Sequence, residues 1–284
     1  MRTREQNYHK HISAKHKLVD LKIRETWQYR DLITLFAKRT LQVKYKQTIL
    51  GYAWLFISPL IASLIFWFVF GGIAKIGTDG VPHILFYLSG TALWTYFSSI
   101  VLSNSTVFIS NARIFGKVYF PRLTIPVATI LSRGFEFLMQ FILVIIFLGI
   151  FIAQGLVSPN WAAWIILPVV LVQLGLMAMG LGIIISSLTT KYRDLTILVN
   201  FAVQLWMFVT PVVYPLSFAP ANWIRTLLLI NPVTSVMEAY KFAVLVAGEV
   251  LVLPLIWSWV FTIVVLLIGI VMFNKAERTF MDTI

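Results

Sequence analysis

Six stretches of this chain are long and apolar enough to cross a lipid bilayer, and no other sequence feature restricts the fold as strongly. About 20 apolar residues are needed to span the hydrocarbon, and residues 52–74, 84–104, 126–153, 163–188, 196–216 and 254–273 meet that length, the second being the most polar. Within a bilayer the backbone must satisfy its own hydrogen bonds, so runs of this kind fold as helices. Hydrophobic residues make up 59% of the 284 and charged residues only 12%, far from a soluble composition. The expected fold is an all-α integral membrane domain of six transmembrane helices.

The formal net charge of +12 could suggest nucleic acid, but its placement argues otherwise. Residues 1–47 hold 12 of the 23 Lys and Arg against four acids, Glu5, Asp20, Glu25 and Asp31. Arg113, Lys117 and Arg122, then Lys191 and Arg193, then Lys275 and Arg278 fall in connecting segments on the same side as the N-terminus. The opposite side has only Lys75, Arg225 and Lys241, and Arg133 lies within the third run. Cytoplasmic segments carry the excess of Lys and Arg, so both termini are expected on the cytoplasmic side of the membrane. The basic charge then serves topology, and no nucleic-acid partner is expected. There is no cysteine, which excludes disulfide scaffolds and thiolate metal sites. A cleavable signal peptide is not expected, because the chain opens on a long polar and basic stretch.

Three regions follow. Residues 1–27 read as a basic cytoplasmic tail. Residues 28–47 read as an amphipathic helix, with Leu32, Leu35, Phe36 and Val43 at helical spacing and Arg30, Lys38, Arg39, Lys44 and Lys46 around them. Such a helix suits the surface of an anionic leaflet; a solvated amphipathic helix is the plainer reading. Residues 48–284 form the six-span domain.

Between the second and third runs lies Asn111 to Pro126, with Arg113, Lys117 and Arg122 and no acidic residue from Gly80 through Phe135. Pro121 and Pro126 oppose a continuous helix there. It is either a positive loop that orients its neighbours or a short docking element receiving force from a soluble partner. Residues 217–253 hold two short apolar stretches, 223–230 and 233–246, broken by Asn231-Pro232 and interrupted by Glu238 and Lys241. A re-entrant helical hairpin on the outer side and a surface loop with two helices both fit. Glu238 and Lys241, three apart, can pair on one helix face.

Reaction chemistry is hard to find. The chain has no GxxxxGK[ST], HExxH or GxSxG motif, so no ATP hydrolysis of its own is expected. His9, His11 and His16 crowd the tail apart from His83, which reads as a solvated tail before a metal site. Glu136, the exceptional acid within a span, sits one turn after Arg133, and Arg133 is roughly 10 Å deep at about 1.5 Å per residue. A neutralising pair and a substrate contact are both open, while the lack of further charged relays counts against an ion-driven carrier. Aromatic residues reach 15%. Trp54, Phe56, Phe66, Trp67, Phe68 and Phe70 crowd the first run, and Trp206, Phe208 and Tyr214 the fifth. Most suit lipid or interface belts, yet an aromatic-lined passage would also suit sugars.

In this order the motifs resemble the membrane subunit of ABC-2 type exporters, above all those moving lipid-linked polysaccharide such as O-antigen, teichoic acid or capsule. The residues that carry the resemblance begin with Tyr45-Lys46-Gln47-Thr48-Ile49-Leu50-Gly51 leading into Trp54 and Pro59, then Gly90 and Trp94. Asn111 through Pro126 follows, around Lys117, Phe120, Pro121 and Arg122, then Tyr192-Arg193-Asp194, Thr210-Pro211 with Tyr214, and Asn231-Pro232. Lys241 departs from the arginine the family often places after Asn-Pro, which puts a bidentate contact there in doubt. The first 27 residues match nothing.

The resemblance implies a homodimer enclosing a channel and two cytoplasmic ABC ATPase subunits that bind ATP and Mg, with no cofactor in this chain. It implies a coupling interface of Arg113, Phe115, Lys117, Tyr119 and Arg122, joined by Tyr192, Arg193 and Asp194, and an outer hairpin capping the exit. Channel candidates are Trp54, Phe66, Trp67, Trp94, Trp206 and Tyr214. Arg39, Lys44 and Lys46 are candidates for the pyrophosphate headgroup of an undecaprenyl-linked glycan, or for binding membrane lipids. Export of a small hydrophobic compound or lipid, and a membrane scaffold that moves nothing, are the other readings.

Overall fold

The computed structural model describes residues 23–46, 48–219 and 222–281; most of the basic tail, with His9, His11 and His16, lies outside them. Among the described residues every regular element is helical. A short α1 (Ile23–Gln28) leads into α2 (Arg30–Tyr45). Then come α3 (Trp54–Phe66), α4 (His83–Ser105), α5 (Val107–Phe115), α6 (Thr124–Ala153) and α7 (Ile166–Thr189). The chain closes with α8 (Leu195–Val209), α9 (Asn222–Ile230), α10 (Pro232–Leu245) and α11 (Val252–Met281).

Among the described residues five segments are long and apolar enough to cross a membrane: Gly51–Ile73, His83–Ser105, Thr124–Ala153, Trp161–Thr189 and Val252–Glu277. The fifth expected run, 196–216, is helical only to Val209. Fifteen residues rise about 22 Å, short of the roughly 30 Å hydrocarbon thickness. The physical cause is Pro211: its ring disfavours the α region for the residue before it, and Thr210 turns extended at φ −107°, ψ 139°. The last run overshoots its expected 254–273, continuing to Met281.

Burial sorts the helices. The α4 window is 78% buried, against 17% for the segment containing α3 and 28% for those containing α6 and α11. The most polar run is therefore the central one, where its hydroxyls find partners: Thr91 Oγ1 donates to Tyr87 O at 2.7 Å and lies 3.3 Å from Ser63 Oγ of α3. Helix α7 packs along both α4 and α11, and small residues let the backbones approach. A Cβ on Gly180 would lie 2.9 Å from Leu266 N, and one on Gly182 would lie 2.5 Å from Asn104 Cβ and 3.0 Å from Val101 O. Between α7 and α11 the buried Gln173 Nε2 donates to Ser258 Oγ at 2.9 Å.

Helix α2 packs on α6, and the seam differs from the expected one. Ile33 and Ala37 are buried against Ala128, with Phe36 partly buried beside them, while Leu35 and Val43 point outward, 60% and 69% exposed. The helix thus uses one stripe for the protein and leaves a second apolar stripe outside. Asn231 starts α10 with its Oδ1 accepting from Val233 N at 3.1 Å, and Pro232 takes the first helical position, where its missing N–H costs nothing. Every α10 residue except Phe242 is buried.

Gly182→Ala should lower the stability of the purified protein by about 1–3 kcal/mol through overpacking against α4. Gly149→Ala, where a Cβ meets nothing within 4 Å, should be neutral or slightly stabilising. Thermal melts in one detergent compare the two.

Candidate functional site

At the end of the bundle that carries most of the cations, two connecting turns lie side by side. Thr189 Oγ1, at the end of α7, donates to Ser105 O, at the end of α4, at 2.8 Å. This pins the turn after α7 beside α5. Between α5 and α6 the chain breaks over residues 116–123, as Pro121 requires. Phe115 and Phe120 turn inward with centroids 5.8 Å apart. Phe120 meets Phe36 of α2 at 5.5 Å, and Phe108 stacks on Phe273 of α11 at 4.4 Å. Arg122 is also buried, its guanidinium 5.0 Å over the Phe115 ring, donating to Glu277 O at 3.2 Å and paired with the Glu277 carboxylate at 3.6 Å. Arg113, Lys117 and Tyr119 remain exposed, as do Tyr192, Arg193 and Asp194 in the second turn. Of the eight coupling residues, six therefore face outward. Phe115 and Arg122 instead fasten the turn to the body.

A second feature lies where α2, α3, α4 and α6 meet. Both Glu136 oxygens accept from Arg133 Nη1, at 2.8 and 2.9 Å, and both accept from Lys44 Nζ, at 3.0 and 3.1 Å. Arg133 Nη2 reaches Ser103 Oγ at 2.9 Å. The pair expected from spacing is thus a triad of two cations on one carboxylate. Partial burial, then Arg133, push the Lys44 ammonium below the ordinary lysine range, against the pull of Glu136. Beside the triad is a cavity of about 280 Å³ whose walls include Lys44, Trp54, Ser58, Thr95, Glu136 and Gln140. An apolar cleft of about 450 Å³ lies between α2 and α6, with Ala37, Leu41, Ile130 and Phe137 in its wall.

The third feature is at the opposite end. Glu238 and Lys241 of α10 are each 1% exposed and paired at 3.5 Å. Lys241 Nζ also donates to the carbonyls of Pro211 and Tyr214 and sits 4.3 Å over the Phe86 ring. A lysine, with three donors on one compact ammonium, serves both carbonyls and the Glu238 carboxylate from a single atom. Asn231 Nδ2 adds a bond to Thr210 Oγ1 at 2.9 Å. The buried α10 is thereby bolted to the irregular turn after α8.

The sequence model of the membrane domain described as ABC-2 type transporter matches residues 31–245, most of the chain. The chain belongs to the ABC-2 type transporter family. It is 27% identical over 257 residues to an O-antigen export system permease protein RfbA of Klebsiella pneumoniae, covering 89% of this chain and 94% of that one. A Myxococcus xanthus protein of the same description is 27% identical over 222 residues, covering 77% and 82%. The polysialic acid transport protein KpsM of Escherichia coli is 23% identical over 247 residues, covering 86% and 93%.

Within this ABC-2 domain the aromatic candidates separate. Trp94 and Trp206 come together with ring centroids 6.5 Å apart, and Trp206 Nε1 donates to Asn231 Oδ1 at 3.2 Å. Phe66 packs on Tyr87, and Tyr214 donates its hydroxyl to Phe208 O at 3.0 Å. Trp54 and Trp67 lie on the exposed side of the first span, 41% and 47% exposed. Arg39 and Lys46 are exposed, while Lys44 is engaged by Glu136. Sequence reasoning did not join Lys44 to Glu136, 92 residues away, because no spacing rule links them. It also passed over Thr196, Asn200 and Gln204, which recur every four residues along α8; the last two are exposed.

Lys241→Met should destabilise the ABC-2 domain by about 3–5 kcal/mol, since it strands the buried Glu238 carboxylate. Combining it with Glu238→Gln should restore a substantial part of the melting temperature.

Proposed function

We propose that this chain is the membrane-spanning permease subunit of an ATP-driven ABC exporter that moves undecaprenyl-linked polysaccharide, of the O-antigen or teichoic acid class, across the bacterial cytoplasmic membrane. The observation that carries the proposal is the platform at the basic end. Six exposed residues, Arg113, Lys117, Tyr119, Tyr192, Arg193 and Asp194, lie on two turns that are tied together by the Ser105–Thr189 bond and backed by the ring cluster. A rigid mount of this kind suits a surface that must transmit force. The sequence has no phosphate-cradling motif, so hydrolysis of ATP with Mg belongs to two separate cytoplasmic subunits docked there.

Polysaccharide is the cargo favoured by similarity to O-antigen and polysialic acid transporters. A lipid-linked form is favoured by the apolar cleft beside the cations of α2. Two copies complete the conduit: α8 buries only Val203 by itself, and its exposed amides Asn200 and Gln204 suit a second subunit or a wet interior better than lipid. In this reading α8 with the following turn is the sixth span, and α9 and α10 form a re-entrant hairpin beneath the outer surface. Both termini are cytoplasmic.

With its ATPase partner in vesicles, the complex should hydrolyse ATP faster when lipid-linked glycan is added, and the permease alone should show no hydrolysis. Lys117→Glu or Arg193→Glu should leave the complex assembled but reduce glycan-dependent stimulation by about tenfold. Stimulation by small hydrophobic compounds and not by glycan would transfer the cargo to that class, and a passage-free dimer with no stimulation at all would indicate a scaffold. Because the natural chain has no cysteine, single Arg113→Cys and Arg225→Cys variants can be labelled in intact cells. An impermeant maleimide should reach position 225 and not 113.

A further inference from the structure

The cavity beside the Lys44–Glu136–Arg133 triad has chemistry that neither headgroup binding nor packing explains. Gln140 is 6% exposed, lies on the cavity wall, and its Oε1 has no hydrogen-bond partner. A buried amide oxygen without a partner costs about 1–3 kcal/mol, and what it requires is a donor. Ser58 and Thr95 add exposed hydroxyls from α3 and α4, and Trp54 adds an indole. Glu136 supplies a carboxylate held in place by its two cations.

This set selects against an anion in the interior. A fully ionised phosphate accepts hydrogen bonds and offers none, so it would leave the Gln140 Oε1 without a donor, and it would face the Glu136 carboxylate. A lone cation would meet Lys44 and Arg133. A neutral polyol fits, because each hydroxyl both donates and accepts and the apolar side of a sugar ring can lie on an indole. The cavity of about 280 Å³ is close to the lower end of small-molecule pockets, about 300 Å³, which suits one ring with the rest of the chain continuing outside. Lys44, 46% exposed, stands at the rim on the side of α2, where a phosphate could follow.

Resting on the reading of this chain as a lipid-linked glycan permease, we infer that this cavity is a subsite for one sugar, the ring joined directly to the lipid phosphate. Gln140, Thr95 and Ser58 read its hydroxyls, Trp54 carries its apolar face, and Lys44 holds the adjoining phosphate. The subsite would let the exporter distinguish a loaded carrier lipid from a spent one before ATP is hydrolysed.

The test uses the permease–ATPase complex in vesicles of phosphatidylethanolamine and phosphatidylglycerol, without nucleotide. Three probes are titrated: farnesyl pyrophosphate, and the same lipid bearing one N-acetylglucosamine or one galactose. At least one sugar-bearing probe should bind about tenfold tighter than the bare lipid, equivalent to about 1.4 kcal/mol. Gln140→Leu and Thr95→Val should each remove about threefold or more of that preference while leaving affinity for the bare lipid within about twofold. Thr95 is exposed and Val is nearly isosteric, so this variant reports on the site even if Gln140→Leu loosens the fold. Lys44→Met should weaken all the probes together. Equal binding of all three probes to the natural protein, or a preference unchanged in both variants, would show that the cavity holds only water and would overturn the subsite while leaving glycan export intact. Failure of every prenyl pyrophosphate to bind, with glycan export unaffected by loss of the gene, would instead remove the permease reading itself.

Discussion

Hydrocarbon offers no hydrogen bonds, and this structure is arranged around that fact. A polar group in the bundle is costly unless it finds a partner within the protein or gathers with others around a cavity. Thr91 folds back onto the Tyr87 carbonyl, Gln173 reaches Ser258, and Glu136 gathers two cations. The helix richest in hydroxyls, α4, consequently occupies the centre, while the almost purely apolar faces of α3, α6 and α11 stay outside. Interhelical bonds then act as fixed points, because no water competes for them. Their individual strength is modest; their geometry is not negotiable.

The two ends of the bundle solve different problems with that rule. At the basic end, charge is kept outward and rigidity is built behind it from rings: Phe36, Phe120 and Phe115 in sequence, with Phe108 on Phe273. Arg122, inside that cluster, ties the turn to the last helix through Glu277. The exposed turn is therefore tied to α2 and α11 through its buried side chains and leads directly into α6. At the other end, a buried lysine and glutamate fix α10 to the broken backbone after Pro211. Their charges pair inside the protein and leave the surface free of them. The irregular chain there is tolerated because α10 shields it.

Between the ends, the triad on α2 and α6 is unbalanced by design of the sequence, two cations to one carboxylate. Such a centre holds a surplus positive charge beside an apolar cleft and a polar cavity. On the proposed reading, headgroup, tail and sugar of a lipid-linked glycan would find the cations, the cleft and the cavity around a single helix, α2. The outward stripe of that helix, Leu35 and Val43, adds a face suited to the bilayer surface.

Much of this could be read without coordinates. Apolar length located five helices long enough to cross, because hydrogen bonding in lipid leaves no other fold for such runs, but it carried the run 196–216 past the break at Thr210-Pro211. The basic residues Arg113, Lys117 and Arg193 marked the segments between them, and local spacing foretold the Arg133–Glu136 and Glu238–Lys241 pairs. What spacing could not convey was anything joined across the chain. Lys44 meeting Glu136, Lys241 reaching the Pro211 carbonyl, and Phe115 and Arg122 turning inward all depend on which helix packs beside which. The α2 seam shifted to Ile33 and Ala37 for the same reason: periodicity defines a stripe, but the neighbour decides which stripe is covered. Helix ends and local pairs follow from short-range sterics written in consecutive residues, whereas the cavity and its unpartnered amide exist only once four helices converge.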